Sequence, residues 1–278
     1  MLGRLHINGV PVLHTNYAPD PRLIWSEKTM KPLYGRGLLG LLAVLLVLLS
    51  SSAARADEIF VTNFGTGAIG AYTTSGATVN ASLILGSPGN APLCGAAPCG
   101  PIGIAVSGSN LFVLNGPPRT IGEYTTSGAT VNPALSPVED PPAGIAVGGS
   151  NLFVADGFDI DKYTTSGQLV PPGISLLPTT PLAVAVSGSE LFVASETLGG
   201  GIVGEYTTDL ATVNASLISG LSEPEGIAVS GSYLFIANHG TGTIGEYTIS
   251  GVTVNASLIS GLDGPVGHCG GWLGPVCR

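Results

Sequence analysis

Pro101-Ile102-Gly103-Ile104-Ala105-Val106, a Ser107-Gly108-Ser109 turn, Leu111-Phe112-Val113-Leu114, and then Ile121-Gly122-Glu123-Tyr124-Thr125-Thr126-Ser127-Gly128 form the stretch that decides the fold, because the chain repeats it. The first segment returns at Pro142 to Val147, at Pro181 to Val186 (with Ala183-Val184 in place of Gly-Ile) and at Pro224 to Val229. The second apolar run returns at Leu152 to Ala155, Leu191 to Ala194 and Leu234 to Ala237, and a further copy is Ile59 to Thr62. The tyrosine segment recurs around Tyr72, Tyr163, Tyr206 and Tyr247. A fourth segment, Thr-Val-Asn-Ala-Ser-Leu-Ile, stands at 78–84, 212–218 and 253–259, with weaker forms at 130–135 and 169–177.

The second run starts at 59, 111, 152, 191 and 234, in steps of 52, 41, 39 and 43 residues. The long step holds Gly86 to Gly100, which reads as an insertion. Each unit therefore offers four short β-rich segments separated by Gly, Ser, Thr and Pro turns, at a period near that of propeller blades. The Gly-Ile-Ala-Val segment is apolar on both faces, as an innermost, doubly buried strand should be. Its Ile104, Val106, Ile145, Val147, Val184, Val186, Ile227 and Val229 are expected to be buried near the axis. The expected fold is all-β: a β-propeller of five recognisable four-stranded repeats over residues 57–267, five-bladed or a truncated six- or seven-bladed ring. A solenoid is the competing architecture, but its turns carry shorter units. The 42 Gly and 21 Pro among 278 residues, beside 44% hydrophobic residues, fit many short punctuated strands and not a disordered chain.

These motifs resemble the NHL-type propellers and are similar to the virginiamycin B lyase and gluconolactonase-like groups. The resemblance covers Ile59 to about Gly267. It implies the propeller fold and, in the enzymatic relatives, a histidine and a glutamate working with a divalent cation, or a metal held by Glu, Asn and Asp. One departure is that Ser-Gly-Ser stands where such relatives carry Asp-x-x-Gly. Another is that those relatives usually have six or seven blades, and five copies are visible here. The tail supplies Pro265-Val266-Gly267 and then breaks into His268-Cys269-Gly270. Either a degraded last strand completes the N-terminal blade of a five-bladed ring, or blades are missing; the abrupt change favours the second.

Ahead of the repeats, Met30 to Arg36 is basic, Gly37 to Leu49 is an uncharged apolar run, and Ala54-Arg55-Ala56 precedes Asp57. That order is a secretory signal peptide over 30–56, with an apolar run too short to span a bilayer. A retained anchor is the alternative. Residues 1–29 read as a gene-model extension or a disordered leader. The expected location is secreted or periplasmic, with membrane contact only through the signal. In that oxidising setting Cys94, Cys99, Cys269 and Cys277 read as disulfides, Cys94–Cys99 and Cys269–Cys277 being one of three connectivities. Residues 268–278 form an irregular Cys-containing tail.

Charge divides the chain. Residues 1–56 hold six Lys/Arg and two acids, and the remainder holds Arg119, Lys162 and Arg278 against sixteen acids. An acidic body of this kind has no footprint for phosphate backbones, so nucleic acid is excluded as a partner. Blade topology places the loops leading into strand one and those leaving strand two on the same face. The first set carries Glu139, Asp140, Glu223, Glu225 and Asp263; the second carries Asp156, Glu196 and His239. Oxygen-rich loops suit calcium or magnesium, so Glu139, Asp140, Asp156, Glu196, Glu223, Glu225 and Asp263 are candidate metal ligands. Turn chemistry and solubility alone would also put Asn and Asp there. His239 is the only histidine inside the repeats and would be the base of any catalysis, with Glu223, Glu225 or Glu196 beside it.

Asn80-Ala81-Ser82, Asn214-Ala215-Ser216 and Asn255-Ala256-Ser257 match the glycosylation sequon but recur because the blade recurs. No nucleophile elbow, zinc-protease motif or nucleotide fingerprint is present. The leading expectation is an exported, non-catalytic, monomeric propeller that binds a protein, peptide or small molecule at its loop-bearing face. The alternative is a metal-dependent lyase or lactonase-type hydrolase at the acidic mouth of the channel.

Overall fold

The computed structural model describes residues 58–63, 67–73, 75–85, 100–116 and 119–265. The signal segment, the four cysteines and the tail from Val266 lie outside the described residues. Nineteen strands and no helix occur among the described residues. The first sheet contains β1 (Glu58–Asn63), β2 (Ala68–Thr73) and β3 (Thr78–Leu85). The second contains β4 (Pro101–Ser107), β5 (Asn110–Asn115), β6 (Thr120–Thr125) and β7 (Thr130–Pro137). The third contains β8 (Pro142–Gly148), β9 (Asn151–Asp156), β10 (Asp159–Thr164) and the two-residue β11 (Ile174–Ser175). The fourth contains β12 (Thr180–Ser187), β13 (Glu190–Glu196), β14 (Gly201–Thr207) and β15 (Thr212–Leu221); the fifth contains β16 (Pro224–Ser230), β17 (Tyr233–Asn238), β18 (Thr243–Thr248) and β19 (Thr253–Ile259).

Every sheet is an antiparallel meander whose spatial order follows the chain. The innermost strands β4, β8, β12 and β16 stand side by side. This is a five-bladed β-propeller. The first blade shows three strands, and the segment that would complete it in a five-bladed ring begins at Pro265 and runs outside the described residues.

Between successive blades lies one apolar cluster, and each repeat residue has a fixed place in it. Leu152 and Val154 of β9 face the second blade, packing with Phe112, Leu114 and Ala105. Phe153 and Ala155, alternating with them, face the fourth blade and meet Leu191, Val193 and Val184. The pattern repeats between the fourth and fifth blades, where Phe192 and Ala194 meet Leu234 and Ile236. Side chains alternate across a strand, so a strand sandwiched between two blades must be apolar at every position. That is the physical content of the Leu-Phe-Val-Ala motif.

The inner strands depart from expectation at one position in two. Ile104, Ile145, Val184 and Ile227 are buried, but Val106, Val147, Val186 and Val229 are only partly so. With Ala105, Ala146 and Ala185 these valines line an axial cavity of about 110 Å³.

The tyrosine motif has a steric cause. A Cβ on Gly122, Gly204 or Gly245 would stand 2.7–2.8 Å from the ring of the tyrosine two residues later. Glycine leaves the ring room to lie across the strand and reach the preceding blade.

Candidate functional site

Strand pairing fixes the face that carries the loops. Pro142 pairs with Asp156, Thr180 with Glu196 and Pro224 with Asn238, so the lead-in to each inner strand meets the exit from its second strand. The candidate residues on this face divide into two groups.

The first group belongs to the third blade. Asp156 is only 2% exposed, at the end of β9, and its carboxylate accepts a hydrogen bond from the Asp140 backbone N–H. Burial pushes its pKa up to about 7, and the Asp161, Asp140 and Asp159 carboxylates add to the rise against that hydrogen bond. Burial also raises Asp161, with Asp159, Glu139 and Asp140 contributing. Arg119 Nη1 donates to the Glu139 carbonyl at 3.0 Å. Asp159 and Asp161 were not singled out in the sequence, although they stand where Thr and Gly occupy the equivalent places in β6 and β18.

The second group spans the fourth and fifth blades. His239 Nδ1 lies 2.8 Å from Glu223 Oε2, and the His239 N–H donates to the Glu223 carbonyl at 2.9 Å. A carboxylate only accepts, so this contact places the proton on Nδ1 and leaves Nε2 as the free base of the neutral ring. A Cβ on Gly264 would stand 2.8 Å from that Nε2, so the segment after β19 passes close by, while the His239 side chain stays 40% exposed. Glu223 holds a φ of 50°, a left-handed conformation that a non-glycine residue adopts at a cost. Burial raises the Glu196 pKa, and the Glu223 carboxylate adds to it. Glu225 follows Pro224 at the β16 bulge, and Asp263 is exposed beside Gly264.

The interacting carboxylates are Asp156 and Asp161 with Glu139, Asp140 and Asp159, and Glu196 with Glu223. Among the described residues, no three His, Cys, Asp or Glu side chains converge in an arrangement that could hold a metal ion.

No family model matches the chain, and no curated protein matches it at significant similarity. Solved structures do. A streptogramin B lyase matches with a TM-score of 0.51 and 21% identity, over 73% of this chain and 66% of that one. A catalytically inactive histidine-to-alanine variant of virginiamycin B lyase from Staphylococcus aureus, solved with quinupristin, matches with a TM-score of 0.53 and 19% identity over 72% and 66%. A gluconolactonase from Xanthomonas campestris matches with a TM-score of 0.54 and 14% identity over 73% of each chain. The chain spans just under two thirds of the length of both lyases. What these likenesses establish is the shared β-propeller fold.

Proposed function

We propose that the chain is an exported, non-catalytic propeller that binds a protein, peptide or small molecule through its loop-bearing face. One observation supports this reading: carboxylates gather on that face, Asp156 with Asp140, Asp159 and Asp161, and Glu196 with Glu223. Acidic clefts with apolar walls focus the field and favour cationic ligands. A thermal-shift screen of small molecules and peptides, run beside turnover assays on lactones and quinupristin, tests it. Stabilisation without turnover, lost in Glu223→Gln, supports the reading. Turnover, or no stabilisation by any compound, overturns it.

The second reading, a lyase or lactonase, draws on the His239–Glu223 contact and the lyase and gluconolactonase likenesses. In it Glu223 holds the imidazole with Nε2 free, and Nε2 removes a proton from substrate. A divalent cation, calcium or magnesium, belongs to that reading, and the donor sets among the described residues do not fit one. Metal analysis of the purified protein, with lactone turnover lost in His239→Ala, would establish it.

A further inference from the structure

Each blade turns one apolar flank to the blade before it and another to the blade after it, and the fifth blade's second flank is uncovered. In the second, third and fourth blades the side that receives the next blade carries Phe112, Phe153 or Phe192 from the second strand. From the third strand it carries Ile121, Ile160 or Val203, and none of the six is more than 1% exposed. The same places in the fifth blade hold Phe235 and Ile244, which are only partly buried, as are Ala228 and Ala237. The outer strand shows it most: Ile218 of β15 is 5% exposed, and Ile259, its counterpart in β19, is 46% exposed. The first blade mirrors this on its opposite flank. Ile59 and Val61 are partly buried where Leu111 and Val113, their counterparts in β5, are 0% and 2% exposed. Apolar clusters join consecutive blades, and among the described residues none joins the fifth to the first. A Cβ on Gly76 of the first blade would meet nothing within 4 Å, whereas Gly128, Gly167 and Gly251 each abut a leucine carbonyl of the preceding blade.

We propose that the fifth blade's uncovered flank is a docking surface for the first blade of a second copy of this chain. Repeats bury their apolar faces only by stacking, and an end repeat that meets solvent needs a polar outer face. The fifth blade instead keeps the phenylalanine and isoleucine with which the chain seats a following blade elsewhere. What seats on that set is also visible in the chain. It is a pair of branched residues two apart on the incoming second strand, as in Leu152 with Val154 and Leu191 with Val193. Ile59 and Val61 present such a pair on the first blade. The contact between copies therefore continues the interface that already joins consecutive blades. It is heterologous, since two different surfaces meet, so association runs head to tail past the dimer unless a ring closes. This inference goes beyond the ligand-binding reading, because the flank is not the loop-bearing face.

The test is sedimentation velocity of the full chain from about 1 to about 100 μM, where weak interfaces of ordinary size dissociate. The average mass should rise with concentration above that of one chain. Ile259→Asp puts a charge on the fifth blade's flank and Val61→Asp puts one on the first blade's, and each variant alone should sediment as a monomer throughout. Mixed in equal amounts, the two should form a one-to-one dimer and stop there. Val61→Asp keeps an intact fifth-blade flank, and Ile259→Asp keeps an intact first-blade flank. Circular dichroism melts check that both fold; Ile259 already meets solvent, so its variant decides the matter even where Val61→Asp unfolds. A parent chain that stays monomeric across the range overturns the proposal, whether its own first blade, its residues 266–278 or water alone covers the flank. Association that survives Ile259→Asp overturns it too, as does a mixture of the two folded variants that stays monomeric.

Discussion

The third and fifth blades share their first two strands almost residue for residue and part company in the last two. Pro142-Ala143-Gly144-Ile145-Ala146-Val147 matches Pro224-Glu225-Gly226-Ile227-Ala228-Val229, and both β9 and β17 are apolar on both faces. Then β18 reads Thr-Ile-Gly-Glu-Tyr-Thr where β10 reads Asp-Ile-Asp-Lys-Tyr-Thr. The outer strand β19 has seven residues, and β11 has two. The difference teaches where the blade is constrained. The inner two strands are covered on both sides by neighbours, so every position is fixed by packing. The outer two meet solvent and accept substitution, and there the third blade has gathered Asp159, Asp161 and Lys162. Lys162 reaches across to the next blade, donating to the Thr208 carbonyl at 2.9 Å with its ammonium 5.9 Å from the Phe153 ring centroid. Its pair with Asp209, which is 92% exposed, adds little.

The largest expected effect tests the part that the blades share. Ile145→Ala and Ile227→Ala should each lose about 2–5 kcal/mol in urea denaturation, the usual loss on emptying a buried branched site. Similar losses in both would confirm equivalent inner strands; a loss under about 0.5 kcal/mol in either would break the comparison. The next effect carries the third blade's residue into the fifth. Gly245→Asp puts a Cβ against the Tyr247 ring, which is only 5% exposed, and should destabilise toward the upper end of the roughly 1–3 kcal/mol range for overpacking. A neutral result would mean that tyrosine does not need its glycine.

Which parts could be read in advance follows the same division. The repeat, the four-segment unit and the doubly apolar inner strands were legible because packing on two sides leaves a strict pattern. The valines lining the axis are less covered than expected, since a strand pattern shows which residues are apolar but not how fully a neighbour covers them. The face on which the loops lie was legible from topology; which carboxylates interact there was not, because it depends on what neighbouring blades bring within reach. Asp159 and Asp161 did leave a signal, in the break they make in the Ile-Gly-Glu-Tyr motif.

A smaller effect, in pH, separates the blades electrostatically. Unfolded, Asp156 releases its proton in the ordinary carboxylate range; folded, it holds the proton up to about 7. Between those values the native state carries more protons than the unfolded chain, so stability falls as pH rises and levels off above about 7. Asp156→Asn keeps the acceptor for the Asp140 N–H and removes the titration. It should stabilise the protein at pH 8 by on the order of 2–3 kcal/mol, discounted for solvent around the outer carboxylates, and have little effect at pH 4. Melting temperatures of both proteins across that range are the check. A wild-type melting temperature that climbs between pH 5 and 7 in step with the variant would remove Asp156 as the cause.

The smallest effect concerns a turn that answers to the third blade's short edge. Gly128, Gly167 and Gly251 end the tyrosine hairpins with φ of 89°, 87° and 85°, and a Cβ on any of them would meet a leucine carbonyl oxygen at 2.5–2.6 Å. Those carbonyls belong to Leu83, Leu135 and Leu217 in the outer strand of the preceding blade. In the fourth blade the same turn holds Leu210, at a φ of 65°, and the preceding outer strand is the two-residue β11. The shortened strand leaves space, and Leu210 fills it by packing against the cluster that contains Leu176 and Ile174. Two opposing contributions follow: left-handed backbone costs a leucine about 1–2 kcal/mol, and its half-buried side chain returns a similar amount. Leu210→Gly should therefore change stability by less than about 1 kcal/mol, since strain relief offsets lost packing. Leu210→Ala keeps the strain and loses the packing, so alanine should be the worse substitution by about 1 kcal/mol, reversing the usual order of the two residues. Equilibrium denaturation of the two variants decides it. Alanine more stable than glycine would mean that the backbone at 210 is relaxed, and that the short edge of the third blade is not what admits leucine there.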